Sequence, residues 1–177
     1  MIRAKQKMPK KPYRPCVAIV LFNRDGKVLV AERNDVDAAC WQLPQGGIDR
    51  GENPVNAALR ELEEEIGTAA ATIIAEAPDW SNYDWPADIE KTPGKGRFRG
   101  QRVKPVALQF AGTDSDIDLA TEHPEFRAWK WVDLEEIPAL IVSFKKPLYR
   151  AIVAAFLKTR DSIKLRKQQP GSRDTDP

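Results

Sequence analysis

Apolar residues near the start of the chain fall in short β-branched runs. CVAIVLF, residues 16–22, has the length and Val/Ile content of a strand. Asn23-Arg24-Asp25-Gly26 is a turn signal, and KVLVAER, 27–33, follows as the partner strand of a hairpin. Residues 34–40 make a polar connection, and Trp41 to Gln45 is a short extended piece. The period then changes. Val55, Leu59, Leu62 and Ile66 recur at spacings of four, three and four, which stacks them on one stripe of a helix. Asn53 suits the N-cap, Pro54 the first helical position where its missing N–H costs nothing, and Gly67 a left-handed end.

Beyond the helix, Ala69 to Ala77 reads as a strand, and Pro78 to Gly100 as an aromatic, turn-rich stretch. Arg102 to Ala111 returns to strand character, with Pro105 predicted at an edge or bulge. Residues 112–124 form an acidic loop, Phe126 to Val132 a strand, and Asp133 caps a short turn, DLEEIP. Leu148, Ile152, Ala155 and Phe156 give a second helix from Pro147 to Lys158. Residues 1–12 and 159–177 are basic and aperiodic, so two disordered ends are expected around one domain at 13–158. Strands around a central helix, with a second helix at the end, predict an α/β fold: an α/β/α sandwich on a mixed sheet.

With 42% hydrophobic and 31% charged residues, the composition is that of a globular protein. No apolar run approaches the roughly 18 residues of a membrane span, so no membrane association is expected. Cys16 and Cys40 are the only cysteines, too few for a disulfide framework, and a reduced cytoplasm is the expected compartment, with a monomer the expected state. Charge changes the picture more. Residues 1–15 carry six Lys/Arg and no acid, and residues 158–177 carry six against three Asp. Those ends sum to +9, so the net +2 leaves −7 for residues 16–157. An acidic body with basic ends suits a metal-dependent site acting on a polyanion, and equally suits basic tails that serve only solubility.

Much of that acid sits on the first helix, where Glu61, Glu64 and Glu65 fall together on one side. Like charges at such spacings destabilise a helix by about 0.2–0.5 kcal/mol per pair. A solvated acidic face is the ordinary explanation. Here the helix holds no lysine, Arg60 is its only cation, and a Gly-Gly loop with its own acid, Glu52, leads into it. Clustered carboxylates with so little counter-charge suit a hard divalent cation.

Residues 46–68 resemble the signature of the Nudix hydrolases. Gly46, Glu52, Arg60, Glu61, Leu62, Glu64, Glu65 and Gly67 match it, and only Thr68 departs, where an aliphatic residue is usual. The resemblance implies the Nudix fold with a central catalytic loop-helix, and hydrolysis of a phosphoanhydride with two or three Mg²⁺ or Mn²⁺ ions. Glu61, Glu64 and Glu65 then look like metal ligands, Glu125 like an additional one, and the main-chain carbonyl of Gly46 or Gly47 like a further donor. Either Glu61 or Glu64 would activate water. Glu52 and Arg60 would brace the loop against the helix through a charge-assisted pair.

Flanking strings narrow the resemblance to the bacterial RNA pyrophosphohydrolases, which intergrade with diadenosine tetraphosphate hydrolases. They are YRPCVAIVLFNRDGKVL, WQLPQGGID, FRGQ at 98–101, PEFRAWKWVDLEEIP and VSFKKPLY. The implied reaction trims the 5′-triphosphate of RNA to a monophosphate, which starts mRNA decay; the alternative is cleavage of diadenosine tetraphosphate to ATP and AMP. Arg14, Arg33, Phe144 and Lys145 match positions that meet the RNA 5′ end. Gln45, Tyr83, Arg99, Gln101 and Lys104 complete the expected substrate contacts, the last three in a basic segment from Lys91 to Lys104. Lys104-Pro105-Val106 departs from the expected Lys-Trp-Phe, which bears on nucleotide contacts, and Cys40 stands where a small hydroxyl residue is expected. His123 reads as a loop residue. A non-catalytic RNA-binding module on the same fold predicts degraded signature carboxylates, and all of them are present.

Overall fold

The computed structural model describes residues 11–35, 40–87 and 96–168. Four strands come first: β1 (Tyr13–Phe22), β2 (Val28–Arg33), β3 (Trp41–Gln42) and β4 (Gln45–Gly47). Helix α1 (Pro54–Ile66) follows, then β5 (Ala71–Glu76), β6 (Ser81–Asp84), β7 (Gly100–Phe110) and β8 (Phe126–Val132). Two helices close the chain, the one-turn α2 (Ile137–Leu140) and the long α3 (Lys146–Gln168).

β1 and β7 pair in parallel along their length, from Tyr13↔Gly100 to Phe22↔Gln109. Every other pairing is antiparallel, so the sheet is mixed. The unbroken apolar run of β1 is explained by cover on both faces. Cys16, Ala18, Val20 and Phe22 join Leu148, Tyr149, Ile152 and Phe156 of α3 in one core. Val17, Ile19 and Leu21 join Ala58, Leu62 and Ile66 of α1 in the other. The expected α/β/α sandwich is what forms.

The sheet splays where the chemistry lies. β1 touches β2 only at Phe22↔Val28. Farther back, Cys16 to Ala18 pair instead with β4, while β2 pairs with β8 and β3. A cleft opens between these two halves of the sheet, with α1 along it.

Four expectations need correcting. The buried side of α1 is centred on Ala57, Ala58, Leu62 and Ile66, with Val55 and Leu59 only half-buried at its flank, because the helix is turned to bury Glu61 and Glu65 as well. β6 lies inside the stretch expected to be aromatic and turn-rich, with no strand expected there; only Tyr83 of its four residues is buried, so no apolar period announced it. Pro105 is neither on an edge strand nor in a bulge. It stands in β7 between β1 and the β5–β6 connection, and its carbonyl accepts from Ala77 N at 2.9 Å. Its missing N–H points to the same side, where β5 has ended and β6 has not begun, so no ladder bond is lost.

The fourth is the end of the last helix, which runs ten residues past Lys158. Only Ile163 is buried there, so periodicity gave no signal. Ion pairs hold this segment: Arg160 Nη1 donates to both Glu135 oxygens at 2.7 and 2.8 Å, and Lys167 pairs with Asp25 of the first turn. Residues 1–10 and 169–177 of the predicted tails lie outside the described residues. No described helix is long and apolar enough to cross a membrane. Ile163→Ala should lower the unfolding free energy by about 2 kcal/mol, read by urea denaturation, with the rest of the fold intact.

Candidate active site

Asn53 caps α1 by accepting from Asn56 N at 2.8 Å, and Gly67 ends it with φ 70°. Between them, Arg60 ties the loop to the helix. Its guanidinium donates to both Glu52 oxygens (3.0 and 2.9 Å) and to the Gly47 carbonyl (2.8 Å). It also reaches Glu61 at 2.9 Å and Glu64 at 3.1 Å. The predicted brace between Glu52 and Arg60 is therefore one part of a larger hub.

Two glycines set how closely the charged groups approach. A Cβ on Gly46 would lie 1.8 Å from the Glu61 carboxyl carbon, and one on Gly47 would lie 2.5 Å from Arg14 Nη2. Any side chain at these positions would push a carboxylate or a guanidinium out of the cleft. The β1–β4 ladder also decides which carbonyls face the acids. Ile19 N donates to Pro44 O and Ile48 N to Pro15 O, so residues 44, 46 and 48 turn their polar groups toward β1. Gly46, paired with Val17, cannot offer its carbonyl to a cation beside Glu61, and that of Gly47 is held by Arg60. Gln45 faces outward, and its N–H donates to Glu65 Oε2 at 2.9 Å. The outward carbonyl next to the glutamates is Gln45's, a role the sequence reading gave to the glycines.

The cleft holds a cavity of about 410 Å³. Glu61, Glu65 and Glu125 line it together with Arg14, Arg33 and Lys145. Tyr83 and Phe144 form an aromatic wall, ring centroids 5.7 Å apart, with Lys145 Nζ 5.6 Å above the Tyr83 ring. Gln45 and Gln101 complete the polar lining, and Gln101 accepts from the Tyr83 hydroxyl. Arg33 is clamped by Asp35 at 2.6 Å and reaches Glu125 at 3.5 Å. A second cavity, about 520 Å³, shares Glu61, Glu65 and Glu125 and adds Glu64, Glu122 and His123.

Two predicted substrate residues are elsewhere. Arg99 is held by Asp84 at 3.0 Å and lies over the Tyr13 ring, and Lys104 donates to the carbonyls of Ala77 and Pro78. Neither lines either of these two cavities. Lys91 and Lys95 lie outside the described residues. Positions 105 and 106 are buried and line neither cavity, so the Pro-Val departure does not alter the walls. Cys40 and Trp85 do line the first cavity, as do Gln42 and Asp35, which the sequence reading did not place there. Only the Trp85 position, in an aromatic stretch, carried a signal.

A NUDIX domain model matches residues 12–152. The chain belongs to the Nudix family. RNA pyrophosphohydrolases of Rhodospirillum rubrum and Acidiphilium cryptum are 53% and 52% identical to it, over 143 and 151 residues. The matches cover 81% and 83% of this chain and 86% and 92% of those proteins. Among solved structures, the E. coli dihydroneopterin triphosphate pyrophosphohydrolase superposes with a TM-score of 0.64 at 22% identity, over 84% of this chain and 99% of that one. A C. elegans Ap4A hydrolase gives 0.58 at 23%, over 82% and 98%. At that identity the two share the fold.

In this Nudix chain the acids are strained electrostatically. Burial raises the Glu65 carboxyl well above its ordinary value, and Glu125 adds to the rise. Burial also raises Glu61, against the downward pull of Arg60. Glu52, held by Arg60, moves down. Burial pushes the Cys16 thiol up to about 11, so it is protonated and inert. Among the described residues no three acid, thiol or imidazole groups converge on one point, and Arg60 holds Glu61 and Glu64. For Glu65 the folded form keeps its proton to higher pH than the unfolded chain does, so ionisation destabilises the fold above the ordinary carboxylate range. Glu65→Gln should therefore raise the melting temperature of the chelator-treated protein at pH 7. The gain should vanish as the pH falls to about 4, read by thermal scans across pH.

Proposed function

We propose that this chain is a divalent-cation-dependent RNA pyrophosphohydrolase, removing pyrophosphate from the 5′-triphosphate end of RNA to leave a 5′-monophosphate and so initiating mRNA decay. One observation carries the proposal: a single cleft brings buried carboxylates together with arginines, a lysine and an aromatic wall. The relatives' activity, covering most of both chains, supports the same substrate.

The donor set suits Mg²⁺ or Mn²⁺. Glu61 and Glu65 are buried and repelled by Glu125, and Glu61 fits against the strand only because Gly46 has no side chain. Glu61, Glu64, Glu65 and Glu125 would hold two or three ions, with the Gln45 carbonyl facing the same space. When bound, the ions supply charge neutralisation for the phosphates and acidify a water. Arg60 would yield Glu61 and Glu64 to them and keep Glu52 and the Gly47 carbonyl, so the loop stays braced.

Arg14, Arg33 and Lys145 line the same cleft; they would pair with the triphosphate and stabilise charge on the departing pyrophosphate. The half-buried Phe144 ring, tilted on Tyr83, offers a face for the first base. Either Glu61 or Glu64 takes the proton of the attacking water. Glu64 has a side chain 58% exposed and thus keeps open contact with solvent. The free cysteines fit a reduced cytoplasm, and we take the protein to act there as a monomer.

Labelled 5′-triphosphate RNA, run against diadenosine tetraphosphate at matched concentration, tests the substrate: the RNA should turn over with the higher kcat/KM. Preference for the dinucleotide would replace this function with dinucleoside polyphosphate hydrolysis. Glu64→Gln should lower kcat on RNA by about 10²–10⁴-fold with an unchanged melting temperature. Full activity in that variant would remove Glu64 from the machinery.

A further inference from the structure

We propose that a strip of paired arginines and aromatic rings, outside the cavity, carries the RNA chain beyond its first nucleotides. The inference rests on RNA as the substrate. Strand alternation creates the strip. Arg14, Tyr83 and Gln101 line the cavity, so Tyr13, Asn82, Asp84 and Arg102 stand on the other face of the sheet. That face is covered by α1 only farther along, where Val106 and Leu108 join its core. At this end Asn82, Asp84 and Arg102 are exposed, and Tyr13 and Trp80 half-exposed.

Two cation–aromatic pairs occupy the strip. The Arg99 guanidinium lies 4.6 Å from the Tyr13 ring centroid, clamped by Asp84, which also accepts from the Tyr13 hydroxyl at 2.7 Å. Arg102 lies 4.8 Å from the Trp80 ring centroid. The register sets Tyr13 opposite Gly100, and Ser81, the neighbour of Trp80, opposite Val103. The pairs are thus separated by on the order of 13 Å along the strands, a span that a short single-stranded stretch covers. The cavity and the strip adjoin at this end of the sheet. Trp85 lines the cavity, and the Trp85 N–H donates to the Arg99 carbonyl at 2.9 Å.

The chemistry favours single-stranded nucleic acid. A guanidinium stacked on a ring offers a flat cationic platform, on which a base stacks while a phosphate meets the charge. An acidic peptide would use the arginines and leave the rings idle. The strip also accounts for Arg99, which the sequence placed among the substrate contacts and the fold holds outside the cavity.

The test uses 5′-triphosphate RNAs of two and eight nucleotides with a 3′ fluorophore, the intact protein and Mg²⁺. For the parent, the octamer should show a KM about tenfold below that of the dinucleotide, with kcat unchanged. Trp80→Ala/Arg102→Ala should erase this advantage and leave the dinucleotide parameters alone, which also reports correct folding. The conservative Trp80→Phe/Arg102→Lys should keep most of it. A second variant, Arg102→Glu at an exposed position, should raise the octamer KM alone and flatten its salt dependence in anisotropy titrations. Equal KM for both lengths in the parent, as a peptide-binding surface predicts, overturns the inference and leaves the proposed function standing. So does an unchanged advantage in both variants. Absence of hydrolysis of either RNA, with diadenosine tetraphosphate still cleaved, overturns both.

Discussion

Negative charge held out of water is the constraint on which this molecule turns. Glu61 and Glu65 sit on the buried side of α1, facing Glu125 across the cleft, and burial drives both carboxyls upward. An isolated carboxylate in such a place would neutralise itself by taking a proton. What keeps the cluster in being is a small set of compensations. Arg60 spreads its donors over Glu52, Glu61, Glu64 and the Gly47 carbonyl, and the Gln45 N–H serves Glu65. A divalent cation is the remaining compensation that the geometry invites.

The scaffold provides this arrangement by failing to close. A regular hairpin between β1 and β2 would seal the sheet, but their pairing stops after one residue pair and β4 takes over the β1 edge. The acids can then work from one layer and the aromatic wall from another, on either side of a gap in the middle one. Gly46 and Gly47 are the hinge of that economy of space, since each lets a charged group stand where a Cβ would be. The long α3 secures the opposite face, and its ion pairs to Glu135 and Asp25 tie the chain end to the first turn.

The basic residues divide into two sets. Arg14, Arg33 and Lys145 line the cavity, whereas strand alternation turns Arg102 away from it and Asp84 and Tyr13 hold Arg99, just ahead of β7, outside it. A Nudix chain acting on a polymer benefits from that division. Chemistry is confined to the terminal phosphates, and affinity for the remainder can be spread along a surface that does not perturb the carboxylates.

Residue order alone determined the acidic helix, its caps and the family. Those signals are local, because caps, spacing and signature all lie within 23 consecutive residues. The strands of β1, β2, β7 and β8 were legible for the same reason, as their β-branched and aromatic residues cluster within each short segment. Tertiary structure decided the rest. Which carbonyl faces the acids depends on the β1–β4 register, so Gln45 replaced Gly46. Whether Lys104 reaches the cavity depends on which face of β7 it occupies, and whether Arg99 does depends on its partners Asp84 and Tyr13. The final ten residues of α3 are helical through ion pairs to partners about 25 to 142 positions away, which leave no period in the sequence. Long-range pairing and register arise only when distant segments meet, and that is where a linear pattern stops carrying information.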